Sequence, residues 1–219
     1  MAEQDSNKPL VKTIRRDFVK STLSEEDMLA DPLLQFSKWL DEAFNSGNGY
    51  ANAMTLSTVD QDGVPSSRVM LLRDVSKGGF TFFTNYKSNK SNDLKINPNA
   101  SLLFFWPELE RQVRIGGMVQ LLPEAESDEY FESRPFESRV GAHVSKQSMV
   151  ISGRKELDEA FARELEFYKG KKVPRPGYWG GYLLIPSIFE FWQGRASRLH
   201  DRFQYTRNGA AWKMERLMP

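Results

Sequence analysis

The chain has 219 residues, with 30 basic and 29 acidic side chains and a formal net charge of +1. That length suits one hydrophobic core and a single domain, and the charge balance excludes a general pull toward nucleic acid or a membrane surface, so any anion site must be local. The absence of cysteine excludes disulfides, thiolate metal centres and a cysteine nucleophile, and two histidines, His143 and His200, do not suggest a metal site.

The opening residues, MAEQDSNKPLVKTIRRDF, are polar and carry no apolar signal core. Residues 1–14 read as a mobile tail and 15–219 as one domain. The longest apolar runs, such as LLFFW, are too short to span a bilayer, so a cytoplasmic location is expected. Helix punctuation follows in DPLLQFSKWLDEAFNSG. Asp31 suits the N-cap, Pro32 the first helical position and Gly47 the stop, with Leu33, Phe36, Leu40, Ala43 and Phe44 on the core-facing stripe.

The pattern then turns to strands. NAMTLSTV, VPSSRVMLLRDVS and FTFFTNY, separated by DQDG and KGG, predict an antiparallel meander. SNKSNDLKINPN predicts a short helix. ASLLFFW and RQVRIGGMVQLL predict further strands, with Gly116-Gly117 marking a bulge or bend. PEAESDEYFESR has helical spacing at Ala125, Tyr130 and Phe131, and RKELDEAFARELEFYKG carries a stripe of Leu157, Phe161, Leu165 and Tyr168. GYLLIP, FEFWQG and HDRFQY read as three closing strands, the last paired with AAWKMERL through Asn208-Gly209. The sum is a β-rich α+β fold, a closed or split antiparallel barrel with surrounding helices, without a dinucleotide fingerprint or Walker loop.

Cationic and hydroxyl side chains gather in several places. Arg68 and Arg73 flank RVMLLR; their odd spacing would face them oppositely on an ideal strand. Thr84, Ser88 and Lys90 follow the FTFFTNY strand and suit a phosphate. Tyr130, Arg134 and Ser138 form a second anion-friendly set, the first two neighbours if helical. SKQS at 145–148 adds amides and hydroxyls. In EFWQGRASRLHDRF, Arg198, His200 and Arg202 alternate with Leu199, Asp201 and Phe203, which on an extended backbone puts the cations on one face. A structural salt bridge to Asp201 or Glu190 is the competing explanation for that face. The groups suggest two anion pockets with aromatic walls, without naming a reaction.

The segments RVMLLR, FFTNYKSNK, LERQVRIGG, YFESRPFESRVGAHVSKQS, GYWGGY and EFWQGRASRLHDRF resemble, in order and spacing, the pyridoxine (pyridoxamine) 5′-phosphate oxidases, from about Arg15 to Pro219. The resemblance implies an FMN-binding split barrel and a homodimer. It implies oxidation of pyridoxine 5′-phosphate or pyridoxamine 5′-phosphate to pyridoxal 5′-phosphate, with dioxygen as acceptor and hydrogen peroxide as product. It places FMN against Arg68, Val69, Met70, Leu71, Leu72, Arg73, Phe83, Thr84, Asn89, Lys90, Gln112, Gln147, Ser148, Trp192 and Arg202. It places the substrate against Arg15, Phe18, Arg73, Tyr130, Arg134, Ser138, Arg198 and His200, the last two as catalytic residues. In the implied dimer, Gln112, Gln147 and Ser148 reach an FMN held mainly by the other subunit's Arg68 and Lys90. Arg73 stands where lysine is usual, Asn89 where arginine is common, and Phe83 and Phe18 where tyrosine is frequent, which bears on affinity more than on reaction class. The rival readings are a non-catalytic FMN or pyridoxal phosphate binder and another split-barrel flavin oxidoreductase.

Overall fold

A computed structural model describes residues 17–219. Arg15 therefore lies outside the described residues, as do residues 1–14. The first helix, α1 (Pro32–Asn45), starts as its punctuation requires: Asp31 accepts the Leu33 backbone N–H, Pro32 opens the helix, and Gly47 follows its end at φ 87°. Its buried stripe is Phe36, Trp39 and Ala43, with Leu33 and Leu40 packed beside them. Phe44, expected in the core, is 46% exposed because the apolar face rotates toward Trp39 instead.

The strands are β1 (Ala53–Val59), β2 (Pro65–Leu71), β3 (Asp74–Ser76), β4 (Gly79–Asn85), β5 (Asn99–Trp106), β6 (Arg111–Leu121), β7 (Trp179–Gln193), β8 (Asp201–Asn208) and β9 (Ala211–Arg216). All pairings are antiparallel, in the path β2-β1-β5-β6-β7-β4-β3, with β8 joining β7 and β9 joining β8. The expected meander is thus corrected. VPSSRVMLLRDVS is two strands, and β2 and β3 lie at opposite ends of the path although only Leu72 and Arg73 separate them. A sheet whose two ends are joined by two residues has to curl back on itself, which produces the barrel with an unpaired seam. At that seam Leu72 turns into the core and Arg73 turns outward, its N–H bonding to the Thr81 carbonyl at 2.9 Å.

The other departure lies in β7. GYLLIP and FEFWQG are one 15-residue strand, not two. Proline lacks the N–H a ladder needs, so Pro186 reads as a break. Here a bulge absorbs it: Gly117 pairs with Pro186 and Gly116 with Ile188, leaving Ser187 extra. Gly117 has to be glycine, since a Cβ there would sit 2.1 Å from the Ile185 carbonyl oxygen. β7 pairs β4 through residues 179–184 and β8 through residues 188–193, so it runs through both halves of the sheet. The β8–β9 loop is Gly209-Ala210, one residue later than expected, with Gly209 at φ 61°.

Alternation sets the core. β1 and β5 bury every second residue, and Phe80, Phe82, Phe104, Phe189, Phe191 and Phe203 fill the barrel beneath Phe36 and Trp39. Helices α2 (Asn89–Ile96), α3 (Glu124–Ser133) and α5 (Arg154–Tyr168) occur where the periodicity puts them. A further helix, α4 (Phe136–Val144), was not expected; Pro135 before it and Gly141 within it mask its pattern. A second core cluster forms outside the barrel from Phe131, Val140, Ala142, Val173 and Trp179, with the α5 stripe residues Phe161, Leu165 and Tyr168 half-buried against it. No helix among the described residues is long and apolar enough to cross a membrane.

Candidate active site

The α3–α4 corner is built by Pro135. A residue before proline is pushed out of the helical region, and Arg134 is extended at φ −73°, ψ 149°. Tyr130 therefore lies in the last turn of α3 while Arg134 has left the helix, so the two are not helical neighbours as expected. Ser138 lies in the first turn of α4, whose N-terminus favours negative charge. These side chains join Met70, Arg73, Phe83, Thr84 and Gln147 around a cleft of about 370 Å³. Phe83 stacks on Tyr130 at 3.8 Å between ring centres, and Trp179 lies parallel to both.

Lys90 is buried and bonds two residues of the cleft wall, Thr84 and Gln147. Its Nζ donates to Thr84 Oγ1 (3.2 Å), Ser88 Oγ (3.1 Å) and Gln147 Oε1 (3.0 Å). Burial, with Arg68 nearby, lowers its pKa to about 8 against the opposing pull of Asp93. Arg68 donates to the Leu56 carbonyl (3.2 Å), to Thr58 Oγ1 (2.8 Å) and to Ser66 Oγ, while Thr58 is tied to Asp93 at 2.6 Å. Asn89 opens α2, and its N–H lies 3.3 Å from Ser148 Oγ. Ser148 itself is held at φ 73°, in the left-handed region.

Around this cleft the cations lack carboxylate partners. Among the described residues, Arg68, Arg73, Lys90 and Arg134 make no ion pair, whereas most other arginines of the barrel do. Arg134 Nη1 is fully buried with no hydrogen-bond partner. Burial, with Arg73 beside it, lowers the Arg134 pKa although Tyr130 opposes this. Buried donors without acceptors are costly, so the arrangement is built for an anion that completes it.

A second group lies at the other end of β7. Trp192 pairs with Gln112 on one side and Arg202 on the other. His200 packs 4.6 Å from Trp192, and Phe18 covers both rings at 5.4 and 5.8 Å. A Cβ on Gly194 would lie 2.6 Å from Phe18, so glycine makes room for that ring. The segment before α1 is held there by Lys20 N–H on Glu110 (2.9 Å) and Leu23 N–H on Asp201 (3.0 Å). His200 Nδ1 accepts the Arg195 backbone N–H at 3.1 Å. An imidazole nitrogen that accepts carries no proton, so the neutral ring holds its hydrogen on Nε2. Burial, then Arg198 and Arg202, lower the His200 pKa.

The alternation expected for Arg198, His200 and Arg202 holds only in part. Ala196–Arg198 form a 3-10 turn in which Ser197 and Arg198 have φ 57° and 62°, and β8 begins at Asp201. The salt-bridge explanation applies to Arg202, which bonds Glu190 at 2.9 Å and the Met218 carbonyl at 2.6 Å. It does not apply to Arg198, which is exposed and makes no ion pair among the described residues; Asp201 pairs instead with Arg195 and Arg216.

Comparison with known proteins places this geometry. Residues 40–166 match the family model described as pyridoxamine 5′-phosphate oxidase, and residues 179–219 match the pyridoxine 5′-phosphate oxidase C-terminal dimerisation region. The chain belongs to the pyridoxamine 5′-phosphate oxidase family. It is 51% identical over 209 residues to a pyridoxine/pyridoxamine 5′-phosphate oxidase of Cupriavidus taiwanensis, covering 94% of this chain and 97% of that one. A protein of the same name from Microcystis aeruginosa is 49% identical over 95% of this chain and 98% of its own. Among solved structures, PhzG from Burkholderia lata 383 in complex with tetrahydrophenazine-1-carboxylic acid superposes with a TM-score of 0.85 at 31% identity, covering 91% of this chain and 98% of that one.

For a member of this oxidase family, one positional expectation needs correction. Gln147 and Ser148 were expected to reach across to the other subunit's Lys90 group, yet they contact Lys90 and Asn89 of their own chain. Gln112 does lie apart from that group, beside Trp192. Of the remaining expected residues, Val69 faces outward, Leu71 is half-buried and Leu72 is in the core, where only its backbone can serve a ligand. Sequence reasoning missed Asn85 and Trp179, and took Ser145 only as the first hydroxyl of SKQS. Asn85 Nδ2 donates to the Ser145 carbonyl at 3.2 Å and so ties β4 to the end of α4. Trp179 lay in the GYWGGY segment, but nothing in its spacing pointed to the cleft.

Proposed function

We propose that the protein oxidises pyridoxine 5′-phosphate and pyridoxamine 5′-phosphate to pyridoxal 5′-phosphate with FMN as cofactor, at a site shared between the two chains of a homodimer. The alcohol and dioxygen give the aldehyde and hydrogen peroxide; the amine also takes up water and releases ammonia. The observation that carries this reading is the set of unpaired cations at the cleft, above all the buried, partnerless Arg134 Nη1.

The donor set fits FMN. Lys90, Arg68, Thr84 and the α2 N-terminus converge where the oxygens of a phosphate monoester would take over from the neutral acceptors that Lys90 now bonds. FMN, when bound, supplies the two-electron acceptor that dioxygen reoxidises. Arg73, Tyr130, Arg134 and Ser138 hold the substrate phosphate, which anchors the ring far from the reacting carbon. Arg198 offers an unpaired guanidinium to the ring. His200 donates through Nε2 to orient it, since taking a proton at Nδ1 would forfeit the Arg195 bond. Phe18 excludes water from that side.

The reach of β7 supports a shared site. The cleft adjoins Trp179 and the Arg198–His200 group adjoins Trp192, near opposite ends of a strand that can reach roughly 45 Å when extended. No side chain bridges such a span, whereas a two-fold axis can set one chain's first group against the other's second.

Aerobic assay of FMN-loaded protein with pyridoxine 5′-phosphate tests the function. Stoichiometric pyridoxal 5′-phosphate and hydrogen peroxide are expected. A protein that binds FMN and pyridoxal 5′-phosphate without turnover would support the binding-protein reading instead, and turnover of unphosphorylated aromatics alone would support another flavin oxidoreductase.

A further inference from the structure

Trp179 opens β7 and is buried. Its backbone is fixed on both sides: the N–H bonds the Pro176 carbonyl at 2.9 Å, and its carbonyl accepts from Arg175 Nη1 at 2.7 Å. Arg175 is held in turn by Asp128 of α3 at 2.6 Å. The indole runs parallel to Phe83 and meets Phe131 edge-on. The ring therefore has little freedom to turn. Over its face, 4.5 Å from the ring centre, lies the Arg134 guanidinium, which also sits 5.4 Å from the Phe131 ring.

We infer that Trp179 is a positioning residue for the oxidation: its fixed face holds the Arg134 guanidinium at the wall of the cleft, in the one orientation that serves the substrate phosphate. Arginine has many rotamers, and Arg134 makes no ion pair among the described residues that would choose one. The aromatic face supplies that choice by attracting the cation. It does so without an acceptor that would compete for the donors. A carboxylate in the same place would fix Arg134 equally well but would repel the phosphate. The inference rests on the assignment of Arg134 to the substrate phosphate.

The test is a double-mutant cycle on FMN-loaded enzyme with Trp179→Leu, Arg134→Ala and the pair. KM and kcat are measured for pyridoxine 5′-phosphate, and the dissociation constant of pyridoxal 5′-phosphate by absorbance titration. Trp179→Leu should raise KM and that dissociation constant about threefold to thirtyfold, with kcat within about twofold. In the Arg134→Ala background it should add nothing to either. Trp179→Phe, which keeps a weaker aromatic face, should show a smaller rise that Arg134→Ala also abolishes, and it carries the test if the leucine variant fails to fold. Equal factors in both backgrounds, or an unchanged KM in the single variants, would overturn the role of Trp179. An Arg134→Ala enzyme with unaltered KM would instead overturn the phosphate assignment beneath it.

Discussion

Lys90 gives a pH dependence that can be worked out in advance. Its side chain is buried among Thr84, Ser88 and Gln147 with no carboxylate in contact, and burial brings its pKa from 10.5 to about 8. In the free cleft the ammonium loses its proton near pH 8. A bound phosphate dianion favours the ammonium and raises that value. Binding then takes up a proton as pH rises, and affinity falls through pH 8. If the bound value lies well above 9, FMN affinity should drop about tenfold between pH 7 and pH 9. The phosphate is already a dianion throughout that window, its second pKa being about 6. Quenching of flavin fluorescence on titration into apoprotein measures this directly. Lys90→Met should bind FMN roughly tenfold to a hundredfold more weakly at pH 7, and its affinity should be flat over the same range. A flat profile in the unmodified protein, or a slope that survives in Lys90→Met, would refute the reasoning.

Arg198→Ala should lower kcat/KM about tenfold to a hundredfold while leaving FMN content and Tm unchanged, because its side chain makes no ion pair among the described residues. Arg202→Ala should instead destabilise by roughly 1–3 kcal/mol in thermal melts, since it leaves the buried Glu190 with Arg114 alone at 3.2 Å. With the His200 pKa below its ordinary 6.5, the ring is neutral at pH 7, and kcat/KM should fall only on an acid limb below that value; an inflection near 7 that vanishes in His200→Asn would contradict this. Gly117→Ala should lower Tm by the equivalent of about 1–3 kcal/mol or more, because the new methyl meets a backbone carbonyl that cannot move aside.

Local rules carried the sequence reading a long way. Asp31-Pro32 placed α1, alternation placed β1, and the glycine pair of β6 marked where the bulge falls, although its extra residue is on β7. They failed where tertiary context decides. Pro186 reads as a terminator, yet a bulge facing Gly117 lets β7 continue through it. The break at Leu72–Arg73 has no turn residue to announce it; the strand ends there because the barrel closes there. Site residues were legible as charge clusters and, through the resemblance, as roles. What spacing could not convey was partnership: that Arg202 is neutralised by Glu190 while Arg198 is not, that Gln147 bonds Lys90 of its own chain, and that a buried indole lies under Arg134.

The central claim is a single active site made from two chains, with Arg134 supplied by one and Arg198 by the other. Co-expression of Arg134→Ala and Arg198→Ala chains under separate tags, followed by isolation of the mixed dimers, tests it most directly. Each mixed dimer should contain one site with both arginines intact and one lacking both, and so should recover about half the wild-type activity from two nearly inactive parents. Activity no higher than the parents would mean that both arginines serve the same site from the same chain, and would contradict the account.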